Sequence, residues 1–134
     1  MLARAVLLFL LLASVPAPEA QLGFAVGSDG KLASADDIEK YFDAVAAASD
    51  RVKLVDLGPT TEGRRTIAAI VSSPDNIRNL DRIRAANQQL ADPRTLADDD
   101  ARQLASTHKA VIAIGASIHA TEVGATLVWL RADL

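Results

Sequence analysis

The sequence predicts a layered α/β fold, a mixed β-sheet sandwiched by helices, and three observations lead there. Two β-rich runs, RVKLVDLG and RTIAAIVSS, are joined by a short turn; helical patterns stand on either side of them; and a continuous apolar run, KAVIAIG, lies between two more helical patterns. Strands that alternate with helices bury both faces of a sheet under helical layers. In such sheets, sites gather where strands end in loops.

The opening stretch, MLARAVLLFLLLASVPAPEA, carries Arg4 ahead of an apolar block from Ala5 to Ala13, followed by small residues and two prolines. That layout is an export signal. A spanning helix needs roughly 20 apolar residues, and this block falls short before Pro16. The expected organisation is therefore a signal peptide at residues 1–20, cut after Ala20, then one domain portion over residues 21–134 with no stable membrane span. Export implies a periplasmic or extracellular location.

The chain has 134 residues, half of them hydrophobic, and a formal charge of −3, which fits one ordinary domain and argues against a nucleic-acid partner. With no cysteine, disulfides, thiolate metal sites and cysteine nucleophiles are excluded.

The segment SADDIEKYFDAVAAAS reads as the first long helix. Ser34 can cap it, Asp36 and Asp37 suit its positive end, and Ile38, Phe42 and Val45 recur at helical spacing. The two β-rich runs then form an antiparallel pair, turned by PTTEGR with Pro59 and Gly63. Glu62 and Arg64 in that turn read as ordinary turn charge. From SSPDNIRNLDRIRAANQQLADPR a second helix is expected, with Pro74 in its first turn and Asp92-Pro93 as its stop. A shorter helix fits TLADDDARQLAS, whose three aspartates complement the dipole of a first turn.

KAVIAIG is apolar at both alternating positions, as in a central strand covered on two sides. After it, SIHATEVGATLVWLRADL turns into a helix presenting Val123, Leu127, Leu130 and Leu134. That helix still presents apolar residues at Leu134 with no cap, so the domain is expected to be incomplete in this chain.

His119 stands just past the expected strand, and Glu122 three residues on. If a helical turn begins between them, both side chains fall on one side. Imidazole nitrogen and carboxylate oxygen suit zinc, and a catalytic zinc keeps three protein ligands with a fourth place for water. Alone, H-x-x-E is a weak pattern, which a glutamate near a helix start also explains. Its context permits metal: an apolar strand delivers the pair to a loop, Gly115 and Gly124 permit close backbone approach, and Ala116, Ser117, Ala120 and Thr121 leave room for substrate. The other histidine, His108, lies before the strand; seven extended residues at about 3.3 Å each put it roughly 20 Å from His119. It reads as a surface histidine with no metal role.

The stretch LGPTTEGRRTIAAIVSSPDNIRNLDR through VIAIGASIHATEVGA resembles the N-terminal part of the M14 zinc carboxypeptidases, in particular exported bacterial members. The resemblance covers about residues 40 to 130 and rests on the turn Gly58 to Arg64, the segment Ser72 to Asp81 and the ligand segment together. It implies a carboxypeptidase-like α/β/α fold, a peptide or peptide-like substrate, and one Zn2+ with His119 and Glu122 as its first two ligands. In the family the second histidine ligand, the substrate-binding arginines and the general-base glutamate lie farther along, so no catalytic residue is assigned in this chain. Many members carry an arginine just before the ligand glutamate; Thr121 stands there instead, so that substrate contact is not carried over. Two other readings remain: a secreted non-enzymatic α/β module that binds a peptide or cell-envelope component, and a related zinc hydrolase acting on a small amide.

Overall fold

The structure is a computed structural model and describes residues 14–119 and 121–130. The expected signal falls largely on residues 1–13, outside the described residues, as does Leu134. Along the described chain run α1 (Pro18–Leu22), α2 (Ala35–Ala48), β1 (Val52–Pro59), β2 (Arg65–Val71), α3 (Pro74–Arg78), α4 (Leu80–Ala91), a 3-10 turn (Pro93–Thr95), α5 (Asp98–Thr107) and α6 (Val123–Leu130). The α/β class predicted from sequence is the class found.

Helix α2 starts where its cap demands. Ser34 is extended, and its hydroxyl accepts the Asp37 N–H at 3.2 Å while the Asp37 carboxylate accepts the Ser34 N–H at 3.1 Å. This reciprocal box satisfies two amides that a helix start leaves without partners. Tyr41 and Val45, one turn apart, are the buried face of the helix; Ile38 and Phe42 flank them, half-buried.

Strands β1 and β2 form an antiparallel hairpin in register from Val52 opposite Val71 to Asp56 opposite Ile67. The register slips between Asp56 and Gly58, leaving Leu57 as an extra residue in a β-bulge. Gly58 takes φ 95° there, a left-handed value that a side chain would resist, and its N–H bonds the Asp56 carboxylate at 2.8 Å. Arg65 in β2 ties the hairpin to α2 through Asp43, at 3.2 Å.

The core lies between α1, α2, β1 and α6. Val26, Tyr41, Val45, Val52 and Leu130 are buried, with Leu22, Leu54 and Leu127 packed against them. Leu130 is thus drawn in from the far end of the described chain, where its carbonyl lies 3.5 Å from the Tyr41 hydroxyl.

The long helix expected after β2 is two helices. Asn79 has φ −112° and ψ 22°, and its side-chain amide bonds the Asp75 carbonyl at 2.7 Å, competing with the backbone donor that would continue α3. Helices α3, α4 and α5 bury no residue among those described and pack on one another.

The largest departure from the sequence reading is KAVIAIG. Residues 109–117 join no ladder, and the described sheet has only β1 and β2. Val111, Ile112 and Ile114 stand 68%, 82% and 63% exposed, so no layer covers either face of the run. The composition suits a central strand, but a strand exists through its neighbours' hydrogen bonds, and none of the described residues offers them.

Candidate metal site

Ahead of the site, the chain leaves α5 at His108 and runs without regular structure to Ser117. Ser117 has φ 57°, alone in positive φ among the described non-glycine residues. From there a tight turn leads into α6. The Glu122 N–H donates to the His119 carbonyl at 3.0 Å, closing the turn on which the candidate ligands sit.

The two side chains meet, as the spacing predicts. His119 Nδ1 lies 2.8 Å from Glu122 Oε1, and the His119 N–H donates to Oε2 at 3.1 Å. Both groups face solvent, with 73% of the imidazole and 49% of the carboxylate side chain exposed. At that exposure an ion pair contributes little to stability, so the contact matters for geometry rather than for folding energy. Hydrogen bonds from the His119 side chain, and then from its backbone N–H, hold the Glu122 carboxyl below the usual carboxylate range, with slight desolvation opposing them. Glu122 therefore stays ionised down to lower pH than a free carboxylate.

A donor set of one imidazole nitrogen and one carboxylate fits a divalent zinc ion. Two atoms each about 2.0–2.2 Å from zinc are about 3.3–3.6 Å apart in a tetrahedral shell. The observed 2.8 Å is shorter than that, so the two donors would have to part by at least about 0.5 Å to take an ion between them. A third donor is not at hand: among the described residues no group of three His, Cys, Asp or Glu could hold a metal.

His108 is not a free surface group. It is half-buried, with Nε2 3.1 Å from the Ile83 carbonyl and 2.9 Å from the Asn87 side-chain amide. Protonated at Nε2 it donates to the carbonyl; bare, it accepts from the amide. Either way it clips the end of α5 to α4, which corrects its placement at the surface.

The glycines expected to allow close approach do not act that way. Gly115 and Gly124 have open space where a side chain would stand, and neither has positive φ. The turn's special backbone belongs instead to Ser117, which sequence reasoning had read only as a small residue leaving room. A non-glycine left-handed residue leaves no mark in composition or periodicity. A shallow concavity lies on the hairpin rather than at this turn, lined by Asp56, Gly58, Pro59, Gly63 and Arg65.

The sequence model of one family, zinc carboxypeptidase (peptidase M14), matches residues 38–132, a span that takes in most of α2, the hairpin, the helices after it and the His119–Glu122 turn. No curated protein and no solved structure matches the chain.

Proposed function

Because the chain belongs to the zinc carboxypeptidase family, we propose that His119 and Glu122 are two of the three protein ligands of a single zinc ion in a metallopeptidase centre. The observation that carries this reading is the approach of Nδ1 and Oε1 to 2.8 Å on an exposed turn. The reaction is hydrolysis of a C-terminal peptide bond, or a related amide, in a peptide or peptide-like substrate.

Zinc bound there supplies Lewis acidity toward a carbonyl and acidifies water. Glu122 binds and does not serve as the base, since one carboxylate oxygen faces the imidazole and the other accepts the His119 N–H. His119 presents Nδ1 to the site and, through its own N–H, keeps the carboxylate turned toward its imidazole. The proton-transferring carboxylate and the third ligand are residues other than these.

The 134-residue polypeptide by itself is expected to bind zinc weakly and to show no peptidase activity, because affinity depends on a full, preformed ligand set. Zinc titration followed by amide NMR tests both halves. Shifts confined to the turn around His119, lost in His119→Ala and Glu122→Gln, are the expected result. Shifts that survive both substitutions would remove the pair from the metal site, and tight stoichiometric uptake would overturn the claim of an incomplete set.

The N-terminal signal is proposed to be removed after Ala20, delivering the protein to the periplasm or the cell exterior. That cut passes through α1, yet Leu22 and Val26, which pack in the core, both lie beyond it. N-terminal sequencing of exported protein should read Gln21 first; a start at Met1 would contradict the cut.

A further inference from the structure

We infer that Ser117 is a positioning residue for the ligand pair, holding Glu122 at the angle from which it meets His119; the inference rests on the zinc-site reading above. Its hydroxyl donates to the Glu122 carbonyl at 2.8 Å and accepts from the Thr126 hydroxyl in α6. One side-chain oxygen thus joins the segment entering the site to both the ligand residue and the first turns of the helix that follows it.

The consequence for Glu122 is that each part of the residue is tied. The carbonyl is held by Ser117, the N–H by the His119 carbonyl, and the carboxylate by the His119 N–H and imidazole. Remove the Ser117 hydroxyl and the ties that remain run between the two ligands themselves, so the pair can turn as a unit away from the direction α6 gives it. The backbone of Ser117 contributes separately. At φ 57° it stands in the left-handed region that side chains other than Asn and Asp rarely enter, and this sets the direction in which Ile118 and His119 leave the preceding run. Glycine would adopt that backbone freely but could not make the bonds, so serine supplies something at this position that the easier residue lacks. Backbone outliers of this kind concentrate where geometry must be exact to function, and partners that orient metal ligands typically change affinity about 10–100-fold when removed.

The two contributions come apart in variants of the full chain. Ser117→Ala keeps a side chain without the hydroxyl, Ser117→Gly frees the backbone, Thr126→Val removes the second hydroxyl and Thr126→Ser retains it. Zinc affinity is read from the NMR titration, which suits weak binding, alongside the His119 and Glu122 amide shifts without metal and the thermal midpoint. Ser117→Ala and Ser117→Gly should each weaken zinc about tenfold and move both amide signals, Thr126→Val should do so more mildly, and Thr126→Ser should match the parent. The midpoint should hold in Ser117→Ala, because Ser117 is exposed and packs in no core. Zinc affinity within twofold of the parent in Ser117→Ala, with unmoved amides, overturns the inference while leaving His119 and Glu122 as ligands. Amide shifts that move in a protein whose zinc response is indifferent to His119→Ala would instead retain the positioning and defeat the metal reading.

Discussion

Asp37 and Ser34 hold the start of α2 through three hydrogen bonds between two residues, the shortest being the Ser34 hydroxyl to the carboxylate at 2.6 Å. The Ser34 hydroxyl and then its N–H hold the Asp37 carboxyl below the ordinary carboxylate range. A depressed carboxylate contributes stability that is present above its unfolded pKa and is lost as pH falls through its lower folded value. Ser34→Ala should therefore destabilise the fold near neutral pH, and the difference from the parent should shrink on acidification into and below the carboxylate range. Urea unfolding of both proteins at the two pH extremes checks it, and a gap that widens in acid would contradict the capping account. This cap was readable in the sequence because it is local: a serine followed three residues later by an acid, just before an apolar periodicity, needs no tertiary partner. Ser117 was not readable, since its role comes from a backbone angle and from Thr126, nine residues away.

Among the elements, α2 carries the core, and Val45 on its inner face is fully buried. Val45→Ala removes two buried carbons and leaves a cavity between α2 and its neighbours, a loss of about 2 kcal/mol. Chemical denaturation should show it as a lower midpoint with an unchanged slope; a change under about 0.5 kcal/mol would mean that Val45 does not sit in a packed core. The hairpin was legible because its turn residues, Pro59 and Gly63, lie within it. The break at Asn79 was not, because periodicity continues across it and only the side-chain bond to Asp75 marks the interruption. His108 was placed rightly at the end of a helix, wrongly at the start of a strand and wrongly at the surface, since its partners Ile83 and Asn87 stand on a separate helix.

Across the whole molecule, the family and the α/β class were legible while the sheet was only partly so. Residues 109–115 were recognised as apolar on both sides, but whether such a run becomes a strand is decided by what lies beside it. With Ile112 and Ile118 each 82% exposed, this surface favours association between copies in the manner of an unprotected edge. Ile112→Lys should lower self-association in sedimentation velocity and leave the thermal midpoint in place, because Ile112 buries nothing to lose. Equal association of the two proteins would show that the apolar run is not the adhesive surface.

The meeting of Tyr41 with Leu130 links residues 89 positions apart. Closing so wide a loop is entropically expensive and slow compared with forming a hairpin or a cap, so α6 docks after the local pieces exist. The turn bearing His119 and Glu122 lies just inside the far end of that loop, so the direction it faces depends on a contact that only the assembled core can make.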